Sequence, residues 1–214
     1  MATPAMFHPR EVGADIEIHS ATKYLSGHDS LFAGIAAGPL DLMTEVQEAR
    51  SILGGIISPP DLAQLQQQMQ TFEIRIQELS RRGLAVARVL QLHPGVSNVY
   101  YPGLTKNPDY KTALKWVKQV RGKINDDGSI PFGSIVSIEI ADPLKIDMFA
   151  SQIGHLGVNF GGTHTILDPF GFRITPEFRQ QLGINQTLFR LSVGLDYTLE
   201  EIISILQRGL DTIA

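Results

Sequence analysis

The chain has 214 residues, with 18 Lys plus Arg against 22 Asp plus Glu and a formal net charge of −4. This balance, without a basic face or arm, argues against a protein that binds nucleic acid through bulk charge. The absence of cysteine excludes disulfides, thiolate metal sites and a cysteine nucleophile. No apolar run approaches the roughly 20 residues of a membrane helix, and residues 1–10 lack a secretory-signal pattern. The sequence therefore predicts a soluble, cytoplasmic protein that does not act at membranes.

The first sixty residues contain two strand patterns. Residues 14–19 alternate, with Ala14, Ile16 and Ile18 on one side, which predicts a short strand. Residues 31–37 form a nearly continuous apolar run that ends at Gly38-Pro39. Such a run is typical of a buried strand.

A long helical pattern follows. Ser58-Pro59-Pro60-Asp61 is a helix-start signal, with Asp61 as the expected N-cap. Apolar residues then recur at steps of three or four until His93-Pro94-Gly95, which predicts one helix of about 30 residues. Because long helices often bridge two domains, we divide the chain into residues 1–60, a connecting helix over residues 61–95, and residues 96–214.

The third segment mixes helices and strands. Its patterns predict strands over residues 96–101, 136–140, 155–160 and 188–193, helices over residues 111–121 and 142–153, and a turn over residues 125–128. Thr198 and Glu201 form a capping box that opens a final amphipathic helix. This mixture favours an α+β arrangement of a few helices on a small sheet.

The first candidate site is Ser20-Ala21-Thr22-Lys23, at the end of the first predicted strand. Ligands collect at strand ends in α/β folds. The hydroxyls of Ser20 and Thr22 could donate to a phosphate, and the lysine amine could attack a carbonyl to form a Schiff base. From spacing alone, an ordinary solvated lysine is the stronger reading.

The second candidate is Arg190, which lies within the apolar strand pattern of residues 188–193. A guanidinium binds a carboxylate through two parallel hydrogen bonds. The alternative is an arginine on the solvent face of a half-exposed strand. The six histidines show no metal-ligand spacing, so we expect them to be mainly structural and expect no metal site.

Residues 15–28, DIEIHSATKYLSGH, resemble the pyridoxal-phosphate attachment motif of the Cys/Met-metabolism enzymes. This family includes cystathionine gamma-synthase, the cystathionine lyases, methionine gamma-lyase and the homoserine-ester sulfhydrylases. The resemblance continues through residues 55–59, 93–104, 132–137 and 190–194, and so covers nearly the whole chain. With this resemblance, a lysine that forms a Schiff base becomes the stronger reading of Lys23, whereas spacing alone favours an ordinary solvated lysine.

The resemblance implies an α/β fold of the aspartate-aminotransferase type (fold type I), with residues 1–60 as a remnant of the cofactor-binding large domain. Lys23 would hold pyridoxal 5'-phosphate as a Schiff base and then move protons. Ser20 and Thr22 would contact the cofactor phosphate, and Arg190 would bind the substrate α-carboxylate. The reaction would be β- or γ-elimination or γ-replacement on a cystathionine- or homoserine-like amino acid, in a homo-oligomer.

The departures from the family pattern are equally informative. The aspartate that pairs with the pyridine nitrogen, the phosphate loop and the ring-stacking tyrosine belong to an N-terminal half that these 214 residues do not contain. Asp29-Ser30 and residues 159–165 differ from the family pattern as well. We therefore keep an alternative, a catalytically inactive chain that needs a separate N-terminal half or a partner subunit. An aminotransferase-like member of the same fold is a third, weaker option.

Overall fold

The computed structural model describes residues 3–119, 132–153 and 156–213. In the N-terminal part, strand β1 (Glu17–Ser20) pairs antiparallel with β2 (Gly34–Ala37). One π-helical turn, Ala21–Leu25, follows β1 directly. Both strand predictions for this part are thus confirmed over shorter ranges, and the motif lysine lies in the turn at the end of β1.

The expectation that the second strand, β2, is buried is wrong. Phe32, just before β2, is 91% exposed, and three of the four residues of β2 are exposed. The reason is that β1 is the one strand paired with β2 among the described residues. The next helix, α1 (Leu40–Leu53), buries none of its residues. It stands across an open groove of about 820 Å³ whose other wall is β2.

The single helix predicted over residues 61–95 is instead two helices, α2 (Pro59–Met69) and α3 (Phe72–Leu90). The helix-start signal is confirmed, but the N-cap is Ser58 and not Asp61, because the Ser58 hydroxyl accepts from the Asp61 amide. The helix breaks at residues 70–71, beside a side-chain contact that the sequence pattern does not show. The buried guanidinium of Arg75 donates to the Gln68 carbonyl at 3.1 Å, and the backbone closes there with tighter turns.

The C-terminal part is built on a four-stranded antiparallel sheet in the order β3-β4-β6-β5. Its strands are β3 (Val96–Tyr100), β4 (Ile135–Ile140), β5 (Ile166–Asp168) and β6 (Leu188–Ser192). The helices of this part are α4 (Tyr110–Gln119), α5 (Ile146–Ile153), α6 (Phe170–Arg173), α7 (Pro176–Leu182) and α8 (Leu199–Asp211). The capping box is present, since Thr198 and Glu201 bond each other's backbone amides.

Four predictions for this part are corrected or lie wholly or partly outside the described residues. The helix expected from residue 142 begins with a 3-10 turn, Pro143–Lys145, before α5. In place of a strand over residues 156–160, Leu156 alone bridges to Leu167. In the loop after Leu156, the side chains of Asn159 and Phe160 instead contact Lys23. The turn at residues 125–128, residues 120–121 of the predicted helix and residue 155 of the predicted strand lie outside the described residues.

Two apolar cores hold these parts together. One lies around the motif turn and includes Tyr24 and Leu25, and the other lies under the four-stranded sheet. Helix α3 contributes to both, with Ile76 in the first and Leu90 in the second. None of the helices in the described ranges is long and apolar enough to cross a membrane.

Candidate active site

Lys23 meets a loop that lies far away in the sequence. Its Nζ donates to Asn159 Oδ1 at 2.5 Å and lies 4.3 Å from the centre of the Phe160 ring. Both contacts come from the stretch between α5 and β5. The loop can come this close because Gly161, at φ +78°, lies against the Tyr24 backbone, where a Cβ would be within 3.2 Å of the Tyr24 nitrogen.

The environment of Lys23 favours the neutral amine. Burial lowers the pKa of Lys23 below its usual value, the carboxylate of Asp29 opposes this shift, and the charge of Arg190 adds to it. A lysine acts as a nucleophile only when it is deprotonated, and a lowered pKa increases that fraction at neutral pH. The amine is therefore suited to attack a carbonyl.

The two hydroxyl residues of the motif lie in different places. Ser20 lines a pocket of about 130 Å³ together with Lys23, Thr3 and Phe160. Thr22 instead lines the groove beside β2, where its hydroxyl accepts from the amide of Ala33 at 3.0 Å. The structure thus brings Ser20 and Lys23 together. The phosphate contact predicted for Thr22 stays a prediction, and it would compete with this backbone bond.

The turn that carries Lys23 is anchored through Tyr24. The Tyr24 ring is 3% exposed, and its hydroxyl accepts from the Ser134 amide at 2.9 Å. Burial raises the pKa of Tyr24 above its usual value. The hydroxyl is therefore protonated at neutral pH and serves as a structural link between the lysine turn and the start of β4.

Arg190 lies in the middle of β6, and its side chain reaches towards the same loop. Its Nη2 donates to Asp168 Oδ2 at 2.6 Å and to the Val158 carbonyl at 2.9 Å. Its Cζ lies 4.4 Å from the centre of the Phe160 ring, so one aromatic ring contacts both Lys23 and Arg190. The apolar neighbours of Arg190 along β6 are fully buried on the other side of the sheet.

Asp168, with 1% of its side chain exposed, is the centre of a charged cluster. Besides Arg190, it accepts two bonds of 3.1 Å from Arg173. Two guanidiniums around one carboxylate leave a net charge of +1. Burial lowers the pKa of Arg190 and Asp168 opposes the shift. The Nε of Arg190 has no hydrogen-bond partner among the described residues. The cluster can therefore accept a further anion.

Sequence reasoning missed four contributors to this site: Asn159, Phe160, Asp29 and Asp168. Residues 159–165 match the family pattern only loosely, so the resemblance assigns them no role. The signal available for the first two was their place before Gly161-Gly162, a glycine pair that permits close packing. The signal for Asp29 was its position after the Gly27-His28 turn; it adopts a φ of +55°.

Two of the described histidines, His28 and His93, make their contacts outside this chemistry. His28, which follows Gly27 and is close to the lysine in sequence, bonds the Ser26 carbonyl at 2.6 Å. His93 contacts Asp211 at 3.1 Å at the other end of the molecule. Within residues 3–119, 132–153 and 156–213, no group of three or more His, Asp or Glu side chains is placed to hold a metal ion.

Known proteins share both this sequence pattern and this fold. The family model for Cys/Met metabolism PLP-dependent enzymes matches residues 1–211. The chain is 35% identical over 220 residues to L-methionine gamma-lyase of Porphyromonas gingivalis, covering 99% of this chain and 52% of that protein. It is 33% identical over 219 residues to cystathionine gamma-synthase 1, chloroplastic, of Nicotiana tabacum, covering 99% of this chain and 38% of that one.

Solved structures agree. Cystathionine gamma-lyase from Lactobacillus plantarum, complexed with L-serine, superposes with a TM-score of 0.86 at 26% identity over 99% of this chain and 54% of its own. Cystathionine gamma synthase from Xanthomonas oryzae pv. oryzae, in complex with cystathionine, gives the same score over 98% and 53%. These matches confirm the fold expected from the resemblance. The chain spans about half the length of most of these relatives, and it belongs to the family of Cys/Met metabolism PLP-dependent enzymes.

Proposed function

We propose that this chain supplies the lysine-bearing side of the active site of a pyridoxal-phosphate-dependent lyase or transferase of sulfur amino acids. The reaction is β- or γ-elimination or γ-replacement on a cystathionine- or homoserine-like substrate. The observation that supports this most is the partly buried Lys23 amine, whose pKa is lowered and which lies between Asn159 and Phe160.

The residues around the pocket fit the cofactor. An aldehyde needs a neutral amine, and the lowered pKa of Lys23 increases the fraction of its amine in that form. A phosphate needs hydrogen-bond donors, and the hydroxyl of Ser20 lines the same pocket. Thr3, which is 4% exposed, also lines it and carries a hydroxyl without a hydrogen-bond partner among the described residues. A buried unpaired hydroxyl is unfavourable unless a ligand satisfies it.

In this proposal the bound cofactor supplies an electron sink for a carbanion at the substrate α-carbon. Lys23 would hold the cofactor through its aldehyde carbon; once the amino group of the substrate has displaced Nζ from that carbon, the freed amine would hold or move the substrate proton. Ser20 donates to the phosphate, and Thr22 joins it if its hydroxyl leaves Ala33. Phe160 contacts the lysine and covers one side of the pocket, which reduces the access of water to the amine.

Arg190 orients the substrate by binding its α-carboxylate. Asp168 and the Val158 carbonyl hold one side of the guanidinium, while Nε remains as a donor. The net charge of +1 over Arg190, Arg173 and Asp168 keeps the cluster attractive to an anion. A guanidinium held in this way binds a carboxylate with little further loss of side-chain entropy.

The direct test is cofactor capture. The purified chain is mixed with pyridoxal phosphate, its visible spectrum is recorded, and the adduct is fixed with borohydride for peptide mass spectrometry. We expect an absorption band that Lys23→Ala abolishes and a mass increment on the peptide that carries Lys23. Lys106→Ala, a change at an exposed lysine, is the matched control and leaves the band intact. Increments spread evenly over the surface lysines would overturn the assignment of Lys23.

A second proposal is that the chain alone is catalytically inactive and completes its site with a separate N-terminal half or a partner subunit. A pocket of about 130 Å³ is far below the roughly 300–1,000 Å³ of sites that enclose small ligands. The open groove beside it exposes Phe32 at 91% and Ile56 at 63%. Large exposed apolar surfaces mark interaction sites.

Sedimentation velocity over a range of concentrations tests the second proposal. If the groove is an interaction surface, the chain associates with a partner half or with its own copies. Phe32→Ser weakens this association, whereas Leu144→Ser, at a 93% exposed residue outside the groove, does not. A monomer at every concentration that also turns over substrate would contradict it. The expected cytoplasmic location stays a proposal, which cell fractionation tests.

A further inference from the structure

Three side chains form a chain of hydrogen bonds that ends at the reactive amine. Lys23 Nζ donates to Asn159 Oδ1 at 2.5 Å, and Asn159 Nδ2 in turn donates to Asp29 Oδ1. Asn159 and Asp29 are separated by 130 residues. The carboxylate lies close to the backbone of Gly162, where a Cβ would be 2.1 Å from Asp29 Oδ2. Glycine at this position therefore gives the carboxylate its room.

The carboxylate decides which end of the amide faces the lysine. An ionised carboxylate only accepts hydrogen bonds, so it binds the NH₂ end of Asn159. The amide oxygen must then point the other way, towards Lys23. Without the carboxylate the amide could rotate by half a turn and present its NH₂ group, a donor, to an ammonium that is also only a donor. The charge of Asp29 thus selects one of the two orientations that the Asn159 amide could otherwise adopt.

The amide between the two charges matters for reactivity. A carboxylate in direct contact with Lys23 would favour the ammonium and suppress nucleophilic attack. An amide oxygen accepts from the ammonium and from the neutral amine alike, so the nitrogen stays in place in both states. The other ionisable groups at this site are Arg190, His19 beside the pocket, and His164, whose Nδ1 lies 3.5 Å from the Asp29 carboxylate.

We propose that Asp29 is a positioning residue: its carboxylate orients the Asn159 amide so that the amide oxygen holds the Lys23 amine in place without fixing it as an ammonium. This rests on the proposed function in so far as Lys23 is the reactive amine. Asp29 contacts neither the cofactor nor the substrate in this assignment, because it acts through Asn159.

The test measures the titration of Lys23 itself, without pyridoxal phosphate. The intact chain is labelled by limited reductive methylation with formaldehyde and cyanoborohydride between pH 6 and 10, and each lysine is quantified by peptide mass spectrometry. Asn159→Asp places a carboxylate directly on Nζ. We expect it to raise the pH midpoint of Lys23 labelling by about one unit, or about tenfold less labelling at a pH below the midpoint.

The second variant moves the midpoint in the opposite direction. Asp29→Asn removes the charge and lets the Asn159 amide turn, and both effects favour the neutral amine, so the midpoint falls. Asparagine adopts the left-handed backbone of residue 29 as readily as aspartate. Lys106 and Lys111, exposed lysines in the same samples, are the references for reagent and pH effects.

Opposite shifts cannot come from a general loosening of the fold, which would change labelling at all pH values in the same sense. Unchanged midpoints in both variants, or equal shifts in one direction, would overturn the role of Asp29. Since the reagent needs no cofactor, this result is separate from cofactor capture. If the chain binds pyridoxal phosphate but both variants leave the pH midpoint of Lys23 labelling unchanged, the positioning role of Asp29 is overturned and the proposed function still stands. Circular dichroism confirms that each variant is folded.

Discussion

The guanidinium of Arg75, in the first turn of α3, donates to the backbone carbonyl of Tyr24 at 2.9 Å. A second bond reaches the Leu25 carbonyl at 3.0 Å, so the helix holds the C-terminal end of the turn that carries Lys23. Arg75 is 7% exposed, and its described partners are backbone carbonyls and the Thr71 hydroxyl. Burial lowers its pKa below the usual value.

Replacing this arginine removes the support of the lysine turn. Arg75→Met removes the guanidinium that donates to the Tyr24 and Leu25 carbonyls, and each unsatisfied buried group costs about 1–3 kcal/mol. We expect the free energy of unfolding in urea to fall by about 3 kcal/mol. Arg75→Lys recovers only part of it, because an ammonium cannot reproduce the planar fork. The exposed Arg88→Met is the control, and an equal loss there would contradict the prediction.

Gly27 makes room for the same guanidinium. It has a φ of +68°, and a Cβ there would be 1.7 Å from Arg75 Nη1. Gly183 has a similar φ of +64° with no atom near its Cβ position, so Gly183→Ala measures the backbone cost alone, about 1 kcal/mol. We expect Gly27→Ala to reduce the free energy of unfolding by roughly 2 kcal/mol more.

A double-mutant cycle identifies the cause of that excess. If the methyl group acts by displacing the guanidinium, then Gly27→Ala has a much smaller effect in an Arg75→Met background. Urea unfolding of the four proteins gives the coupling energy. Strictly additive losses would show that the crowding at Gly27 lies elsewhere.

The sequence predicted the parts of this fold that depend on local patterns. The alternation over residues 136–140 and the Thr198–Glu201 capping box depend on residues a few positions apart, and both are confirmed. The roles of Lys23 and Arg190 depend instead on the family resemblance, since spacing alone favours an ordinary solvated lysine, and these roles stay predictions. The prediction that β2 is buried was wrong, since the apolar run of residues 31–37 contains no information about which part of the protein would cover it.

What could not be predicted depends on contacts between distant residues. The break between α2 and α3 involves Arg75 reaching back to carbonyls of the lysine turn, about 50 positions away. Asn159 meets Lys23 across 136 positions. No periodicity encodes such pairs, and only the folded chain brings them together. The division of the chain at residues 60 and 95 stays a prediction, supported by α3 packing into both cores.

The acid stability of α3 depends on Glu78. Arg81 and then Arg82 donate to its carboxylate at 2.7 Å, which lowers its pKa to about 2. Because the folded pKa lies below the unfolded value of 4.5, the contribution is complete above that value and is lost as the pH falls from about 4.5 towards 2. Glu78→Gln should destabilise the chain by about 0.5–1 kcal/mol at pH 7, given its one-third exposed side chain.

Urea unfolding of both proteins between pH 3 and pH 7 measures this dependence. The difference between them should shrink steadily below pH 4.5. Arg82 also donates to the Gly194 and Tyr197 carbonyls, so it would remain anchored in the variant. A difference that stays constant over the whole range would assign the effect of Glu78→Gln to packing rather than to charge.

Asp168 holds the two guanidiniums of the candidate site, those of Arg190 and Arg173, together. Its buried carboxylate binds Arg190 at 2.6 Å and Arg173 at 3.1 Å. Asp168→Asn removes the charge between two guanidiniums and leaves them facing each other, and breaking such a buried pair costs about 3–5 kcal/mol. We expect a loss of about 3 kcal/mol in urea unfolding. Arg173→Gln, at a side chain 42% exposed, should lose less than about 1 kcal/mol, because Asp168 keeps Arg190 as its partner.

The salt dependence distinguishes repulsion from a simple loss of hydrogen bonds. In Asp168→Asn the two guanidiniums repel each other, and added salt screens that repulsion where water reaches the more exposed Arg173. The deficit of Asp168→Asn should therefore be smaller in 1 M sodium chloride than in 0.05 M, whereas Arg173→Gln should show no such recovery. A deficit that is equal at both salt concentrations would mean that the Asp168 carboxylate acts through hydrogen-bond geometry alone. Arg190 would then keep its orientation without needing the charge of its partner.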